Sequence, residues 1–436
     1  MNTISQLANS NKTLTYKETY TTPSSSYVVR RSLDKIVPQT GSSDYTPEST
    51  SRIAWRVPAG QFLDVNDLFF SFKMKANMVV DGVALTPTTP GGNTLGWQGS
   101  HTLFERMTIT CGGVVVEDIQ NINVLEQLIH KTTDTSDYVN SPIGKIQGLT
   151  PVDNTGDGIA DLLEATEYIF KPKTSGILTN DLMLPTPYLP EIIIELYLTK
   201  GQTVFAALTE DDADPNPKPK PLTSISYTLS DVALNAPYVE FDKDFITGFE
   251  ASLQKNPLNY HFNTFSCFTQ TVSNASDIAI GSFRTDIKSL FTVLRNNSTI
   301  SGYHLDSFHF QREGVESYQV SLGTAKYPLE QVSVGEKQLA KNIVYNTQAL
   351  SNLRQNENSG AMNCPRGTYG EELFMIGLDL SNSEALLGGI DSTLTFGSPL
   401  MLQVKGSTIS ACHMNSFVHY GSVLTILPDR SIVCTF

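Results

Sequence analysis

Hydrophobic and polar residues alternate with a period of two along much of the chain, which is the pattern of half-buried β-strands. The segment RIAWRV (52–57) and a run within residues 62–80 both show it. Residues 102–119 predict a β-hairpin, because two alternating runs flank a Gly-Gly pair. Residues 122–130, INVLEQLIH, then change to the spacing of a helix. The pattern therefore predicts a β-protein with short helices between its strands.

The same order of elements recurs about half a chain length later. Pro190 is followed by EIIIELYLTKG and Pro399 by LMLQVKG, and these two prolines are 209 positions apart (399 − 190). Four further pairs match in order, and they are a strand, a strand–Gly turn–strand unit, a helix and a closing β segment: 52–57 with 261–268, 102–119 with 307–323, 122–130 with 336–353, and 225–242 with 417–436. The repeat predicts two copies of one β-fold in tandem.

The length of 436 residues also favours more than one domain. We expect an all-β chain of two tandem jelly-roll β-sandwich domains, a double jelly roll, with short helices in the loops. The predicted division is a flexible N-terminal arm over 1–50, a first jelly roll over 51–242, a linker over 243–257 and a second jelly roll over 258–436. The arm is assigned because its Ser, Thr, Asn and Tyr-rich sequence shows little periodicity.

The charge of the chain argues against a nucleic-acid-binding protein. The net charge is −14, and residues 1–40 carry five basic and two acidic residues, so the remainder carries −17 (−14 − 3). Binding to phosphates needs clustered Lys and Arg, so we expect no sequence-specific contact with nucleic acid. The low share of charged residues, 17%, suits a surface that is partly covered by other copies of the chain.

The cysteines and the first residues favour a protein made in a cytosol. The five cysteines are widely separated, with no CxxC pair and no spacing typical of metal ligands: Cys111, Cys267, Cys364, Cys412 and Cys434. Residues 1–13 contain no apolar segment of the kind found in secretory signals, and no stretch of the chain approaches 18 apolar residues.

Motifs of catalysis are absent from the sequence. There is no GxSxG nucleophile elbow, no P-loop and no GxGxxG. His304 and His309 are five positions apart, so they point to opposite faces of a regular strand, unlike the HxH pair of a cupin metal site. Glu371 and Glu372 are adjacent, which makes them a poor acid/base pair for glycan hydrolysis. We therefore assign no catalytic, cofactor-binding or metal-binding residue.

One segment partly matches a calcium loop. DNTGDGIADLLE (153–164) places Asp153, Asp157, Asp161 and Glu164 at positions 1, 5, 9 and 12 of an EF-hand-like loop. Position 3 is Thr155 instead of Asp or Asn, and no predicted helix precedes the loop. A plain turn followed by a helical turn accounts for the same residues, and the sequence leaves both interpretations open.

Three stretches of the chain resemble double jelly-roll major capsid proteins of the adenovirus-like, large-DNA-virus, virophage and polinton-like virus lineage. They are a hairpin with its helix, the opening of the second barrel, and the closing strands: 101–119 with 122–129, 283–297 through 316–328, and 417–433. The resemblance implies homotrimers with a pseudo-hexagonal outline that tile an icosahedral shell. It also implies tower or inter-subunit loops at 81–100, 200–222 and 354–370, and an arm at 1–45 beneath the trimer.

The resulting functional hypothesis is a structural major capsid protein, without enzymatic activity and without a cofactor, that works by self-assembly. Its implied partners are other copies of itself, minor or penton capsid proteins and, through the N-terminal arm, an internal membrane. Its implied location is the virion, after synthesis in the host cytoplasm. Two alternatives stay open at this point. One is a two-domain β-sandwich adhesin or lectin that binds through its loops, with or without calcium at 153–164, and the other is a glycan-active enzyme on a β-sandwich scaffold.

Overall fold

A computed structural model describes most of the chain. The described residues are 27–80, 83–84, 93–149, 162–209, 222–273, 276–297, 308–335, 338–353, 373–381, 388–393, 399–406, 409 and 411–436. In chain order the strands of the N-terminal half are β1 Val28–Ile36, β2 Asp44–Tyr45, β3 Arg52–Val57, β4 Phe62–Leu63, β5 Phe69–Val80, β6 Val83–Ala84, β7 Asn93–Trp97, β8 Phe104–Cys111, β9 Val114–Gln120, β10 Thr166–Phe170, β11 Leu184–Pro185, β12 Ile192–Leu198, β13 Phe205–Thr209 and β14 Leu222–Phe241.

The C-terminal half continues with strands that are also mostly antiparallel. They are β15 Leu258–Val272, β16 Ser276–Ile280, β17 Ile287–Asn296, β18 Ser317–Leu322, β19 Ala325–Ser333, β20 Ile376–Asp379, β21 Leu400–Lys405, β22 Cys412–Ile426 and β23 Ile432–Thr435. The α-helices are α1 Ile122–Thr133, α2 Ser136–Val139, α3 Pro142–Ile146, α4 Gly201–Val204, α5 Lys243–Lys255 and α6 Ala340–Ser351. Short 3₁₀ turns span Val65–Asp67, Ser100–Leu103 and Thr186–Tyr188.

The N-terminal half is a sandwich of two antiparallel sheets. Sheet 1 has the order β10-β5-β14-β4-β11, with β1 and β2 on the other side of β14 and β6 beside β5. Sheet 2 has the order β3-β12-β8-β9. Their inner faces meet through aromatic contacts, with ring centroids 5.0 Å apart for Trp55 and Phe70 and 5.7 Å apart for Phe72 and Phe104. The period-two pattern of the sequence produces this core, because alternate residues point inward.

The C-terminal half repeats this plan. Sheet 3 has the order β15-β22-β17-β20, with β23 beside β22, and sheet 4 has the order β16-β21-β18-β19. Sheet 4 matches sheet 2 strand for strand, and α6 follows β19 as α1 follows β9. In sheet 3, β15, β22, β17 and β20 take the places that β1, β14, β5 and β10 hold in sheet 1. The described residues thus form two sandwiches of the same topology, which agrees with the all-β, two-sandwich fold expected from the sequence.

This topology corrects one of the matched sequence pairs. The strand RIAWRV is β3, whose counterpart is β16, since both lie at one edge of the sheet and pair with the strand that follows the matched proline. The segment 261–268 instead belongs to β15, which is the counterpart of β1. The two segments look alike because both alternate apolar and polar residues, but they occupy different places in the two sandwiches.

Part of the predicted arm is β-strand in the structure. Residues 28–36 form β1, which pairs with β14 from Val28 opposite Phe241 to Ile36 opposite Leu234, and residues 44–45 form β2. The assignment of residues 28–45 to a flexible arm is therefore wrong. No residue of β1 is fully buried, so its sequence lacks the alternation that identified the other strands.

A second correction concerns the unit predicted over 307–323. Phe308 and Phe310 are buried in an irregular segment, and Gly314 lies in a turn with a φ of +81°. The hairpin begins later, because β18 pairs with β19 around a turn at Gly323. The helix expected over 336–353 is present as α6, which begins at Ala340 and ends at Ser351.

Candidate functional site

The two sandwiches are joined by a junction in which sheet 3 is covered on both faces. Val418 and Leu290 belong to the core between sheets 3 and 4. The neighbouring residues Phe417 and Phe291 belong instead to a continuous core with the N-terminal sandwich. Burial of both faces makes β22 almost continuously buried, unlike a strand with one solvated face. The hydrophobic effect therefore holds the two sandwiches as one unit.

Glu117 of β9 is a buried carboxylate at this junction. One carboxylate oxygen accepts a hydrogen bond from the Ser175 hydroxyl at 2.5 Å, and the other accepts from the Gly176 amide at 2.8 Å and the Thr264 hydroxyl at 2.7 Å. Thr264 lies on β15, so the carboxylate bridges the two sandwiches. Burial raises the pKa of Glu117, while these hydrogen bonds act in the opposite direction. A buried carboxylate with this many donors is specific to one relative placement of its partners.

A second set of polar contacts lies where α1 begins. Asn121 caps the start of the helix in the left-handed region, with a φ of +52°, and its amide donates to Thr269 at 3.3 Å and to Cys267 Sγ at 3.4 Å. Asn415 also donates to Thr269, at 2.9 Å, and accepts from the buried guanidinium of Arg295. Asn and Gly tolerate this backbone region better than other residues, so Asn is a suitable residue here.

Further contacts pass between the two halves around α1 and the segment 173–182. Lys131 donates from its ammonium group to the Phe308 carbonyl at 2.8 Å, with the Phe310 ring 5.5 Å away. Asn180 donates to the His261 carbonyl at 2.7 Å, and the Tyr260 hydroxyl donates to the Leu182 carbonyl at 2.9 Å. These bonds are distributed across the junction, which resists sliding of one sandwich over the other.

Helix α5 connects the two sandwiches and is anchored by aromatic packing. Its cap, Asp242, accepts from the Phe245 amide at 2.8 Å. Phe245 stacks on Phe241 with ring centroids 4.2 Å apart, and Phe249 lies 5.1 Å from the Tyr188 ring. Arg430, from the turn between β22 and β23, lies 5.6 Å from the same Tyr188 ring. The connection is therefore packed against the N-terminal sandwich, and Arg430 of the C-terminal half contacts the same aromatic group.

The polar face of α1 is buried and contains several titratable groups. Glu126 accepts from the amides of Lys173 and Thr174, both at 2.8 Å, and burial raises its pKa to about 7. His130 lies 2.5 Å from Asp134, and burial, together with the charge of Lys173, lowers its pKa to about 4. His101 stacks on His130 at 4.5 Å. Its pKa is also lowered, first by burial and then by His130.

The exposed edge of sheet 1 carries apolar side chains. Within the described residues, β1 pairs only with β14, so its other side is an edge of the sheet. Val29 and Leu33 of this strand are 64% and 60% exposed, and Val37 just after it is 68% exposed. Val29 sits at an irregularity in the register, and Arg31 and Lys35 alternate with Leu33. Clustered exposed apolar groups on a sheet edge are typical of a contact surface.

The structure places two of the predicted loop regions side by side. The strands β7, within 81–100, and β13, within 200–222, pair with each other as an antiparallel ribbon from Phe205 opposite Trp97 to Thr209 opposite Asn93. The third predicted loop, 354–370, lies outside the described residues. The first two regions therefore meet in one two-stranded ribbon.

The metal and catalytic candidates from the sequence are only partly described. Asp153, Asp157 and Asp161 of the calcium loop lie outside the described residues, as do His304, Glu371 and Glu372. Glu164 is described and exposed, and His309 lies near Gln311, 3.5 Å from its side-chain amide. In the described ranges, no three His, Cys, Asp or Glu side chains cluster as metal ligands. Within the same ranges, no helix is long and apolar enough to span a membrane.

The junction residues were not predicted from the sequence. Glu117 and Thr264 are 147 positions apart, and each looks like an ordinary polar residue on a strand. One signal was present, because Glu117 interrupts the alternation of β9 just after Val116 and before a buried helix. No pattern in the sequence indicates which distant residues contact it.

Comparisons with known proteins address the fold. No protein-family model matches the chain, and no curated protein matches it. The Faustovirus major capsid protein superposes with a TM-score of 0.60 at 10% identity, covering 96% of each chain. PBCV-1 VP54, as fitted into a reconstruction of the virophage Sputnik, gives 0.58 at 11% identity and covers 96% of this chain and 99% of that one. A chain of the Sputnik virophage structure gives 0.56 at 12% identity, covering 98% and 92%.

These similarities extend over both sandwiches and the junction between them. The chain therefore has the double jelly-roll fold. Within that fold class, the structures it is similar to are major capsid proteins of large DNA viruses and virophages.

Proposed function

We propose that this chain is a major capsid protein that self-assembles as pseudo-hexagonal trimers into an icosahedral virus shell. The observation that carries the proposal is a double jelly-roll fold, shared with capsid proteins over nearly the whole chain, with its two barrels locked into one unit. A tile of a shell must keep its shape under load, and the junction around Glu117 supports that requirement.

The geometry of the chain supplies a physical reason for the trimer. Two sandwiches of the same topology in one chain present two similar outlines side by side. Three chains around a three-fold axis then present six, which approximates a hexagon although the symmetry is only three-fold. In this arrangement the exposed edge at β1 contacts a neighbouring copy, which would cover the apolar side chains of Val29 and Leu33.

The other parts of the proposal follow the same assembly. The first jelly roll runs from residue 28 to 242, the linker over 243–257 and the second jelly roll over 258–436. The ribbon of β7 and β13 belongs to a tower or inter-subunit contact. Minor or penton capsid proteins, and an internal membrane reached by the N-terminal residues, complete the partners. The protein acts in the virion, after synthesis in the host cytoplasm, without catalysis.

The test is the mass and outline of the purified chain. Native mass spectrometry is expected to give three times the 47.8 kDa of one chain, and negative-stain images are expected to show pseudo-hexagonal particles or shells built from them. A stable monomer that binds glycans in the presence of calcium would contradict the proposal and favour an adhesin or lectin.

A further inference from the structure

A lysine amine, a carboxamide and a buried carboxylate converge on sheet 3. The Nζ atom of Lys288 lies 2.7 Å from Oδ1 of Asn263 and 3.8 Å from Oδ2 of Asp286. The side chain of Lys288 is only 12% exposed and that of Asp286 4%. The two charged groups are therefore largely shielded from water, which is a costly arrangement for charged side chains, and Asn263 is half-buried.

The backbone of β22 makes room for this meeting. Asn263 lies on β15 and Lys288 on β17, and β22 separates these two strands. Gly421 of β22 is opposite Asn263 in the register, and a Cβ at that position would lie 2.1 Å from Oδ2 of Asp286. The glycine thus leaves the space in which the side chains cross the middle strand.

One carboxylate oxygen of Asp286 accepts a hydrogen bond, and the other accepts none from the described residues. The amide of Gly389 donates to Oδ1 of Asp286 at 2.6 Å. Its Oδ2 is buried and has no hydrogen-bond partner among the described residues. The Lys288 amine lies 3.8 Å from this oxygen. A buried carboxylate oxygen in this position is a suitable acceptor for a proton from that amine.

We propose that Lys288 and Asn263 form an intramolecular isopeptide bond, with Asp286 as the proton acceptor. The side-chain carbon Cγ of Asn263 is no more than about 3.9 Å from Nζ of Lys288, because a C=O bond adds at most about 1.2 Å to the distance of 2.7 Å from Oδ1. This is close to the separation of about 3–3.5 Å from which a positioned nucleophile attacks.

The reaction balances without an oxidant or a co-reactant. The ammonium group of Lys288 passes one proton to Oδ2 of Asp286, and the neutral amine attacks Cγ of Asn263. A bond forms between Nζ and Cγ, and the bond from Cγ to Nδ2 breaks. The second proton of the amine accompanies the leaving nitrogen, which departs as ammonia, and Asp286 returns its proton to that ammonia. One amide replaces another, and one ammonium ion leaves.

The bond would tie β15 to β17 across β22. Asn263 also lies at the junction. Its backbone carbonyl oxygen faces Gly176 of the other sandwich, and a Cβ atom added to Gly176 would lie only 1.7 Å from this oxygen. A covalent link at this point fixes the edge strand of sheet 3 against which the first sandwich packs. Separation of β15 from the rest of sheet 3 would then require a covalent bond to break, and not only the hydrogen bonds between strands.

The test is the mass of the full chain after denaturation. Formation of the bond removes one ammonia, so the intact mass is expected to be about 17 Da below the sequence mass. Peptide mapping is expected to give a branched peptide that joins the segment containing Asn263 to the segment containing Lys288, with no tryptic cleavage at Lys288. Lys288→Arg is expected to restore the full sequence mass, and Asp286→Asn to restore it or slow the loss.

Lys173 provides a matched control, because its amine lies 2.5 Å from a carboxylate oxygen of Asp134 in the other sandwich. Lys173→Arg is expected to retain the loss. A full sequence mass in the unmodified chain overturns the proposal, and so does a loss that persists in Lys288→Arg, which would indicate a succinimide elsewhere. A loss of about 18 Da that maps to Lys173, with Lys288 unmodified, also overturns it, since condensation with a carboxylate releases water. The peptide map decides the question even where a variant fails to fold.

Discussion

The hydroxyl of Thr264 donates a hydrogen bond of 2.7 Å to the carboxylate of Glu117, across the boundary between two β-sandwiches. Both residues are almost completely buried. The carboxylate is acceptor-only when ionised, so it depends on donors from both halves of the chain. This hydrogen bond can therefore form only when the two sandwiches are packed against each other as in the native structure.

Replacing Thr264 with Val is expected to weaken the junction. The substitution keeps the shape of the side chain but removes one donor from a buried carboxylate, which costs about 2 kcal/mol. Urea unfolding at pH 7 measures the change in the free energy of unfolding. Thr271→Val on the same strand is the control, because Thr271 is exposed and its change is expected to stay within about 0.5 kcal/mol. Equal effects of the two variants would contradict this role of Thr264.

Gly176→Ala tests the closest approach between the sandwiches. A Cβ at residue 176 would lie 1.7 Å from the Asn263 carbonyl oxygen, so the backbones must separate. We expect a loss of about 3 kcal/mol in the free energy of unfolding. The control is Gly248→Ala in α5, where nothing lies within 4 Å of the new methyl group. That variant is expected to gain about 0.5–1 kcal/mol, because alanine favours a helix over glycine. A neutral Gly176→Ala would show that the close contact is not maintained in solution.

The buried imidazole of His419 is expected to make the protein acid-sensitive. Burial lowers its pKa from 6.5 to about 3. Between these pH values the unfolded chain binds more protons than the folded one, so stability falls as the pH decreases. The free energy of unfolding is expected to decrease from pH 7 to pH 4 in the unmodified chain. In His419→Gln this decrease is expected to be smaller by about 3 kcal/mol. An unchanged pH dependence would show that His419 does not remain neutral in the folded state.

Leu33→Glu is expected to impair self-assembly without unfolding the chain. Leu33 is 60% exposed on β1, so a charge there costs the isolated chain about 0.5 kcal/mol or less. In an assembled interface the same charge would be buried without a partner, which is strongly unfavourable. Sedimentation analysis is expected to show loss of trimers, while Leu33→Ile assembles normally. If Leu33→Glu forms trimers as stable as those of the unmodified chain, β1 does not lie in the interface between copies.

Strands with one buried face could be predicted from the sequence, and strands without one could not. The strands β12 and β21 alternate cleanly because one face of each lies in a core. The strand β1 was assigned to an arm because none of its residues is fully buried. Likewise, 52–57 was matched to 261–268 because alternation identifies a strand but not its place in a sheet.

The contacts of the candidate site could not be predicted from the sequence for a different reason. Its contacts join residues that are far apart in the chain, such as Asn121 with Thr269 and Lys131 with Phe308. Polar residues at these positions have ordinary roles in an isolated strand or helix. Only the docking of one sandwich on the other brings them together, and no local pattern encodes that docking.

Helix α5 also changes the concentration dependence of assembly. A linker of this length keeps the two sandwiches at an effective concentration on the order of millimolar, far above the level of a protein early in its synthesis. Their association is therefore independent of dilution. Formation of a six-barrel tile then depends on the third power of chain concentration, whereas six separate barrels would depend on the sixth. Fusion of the barrels thus lowers the concentration at which a closed tile first forms.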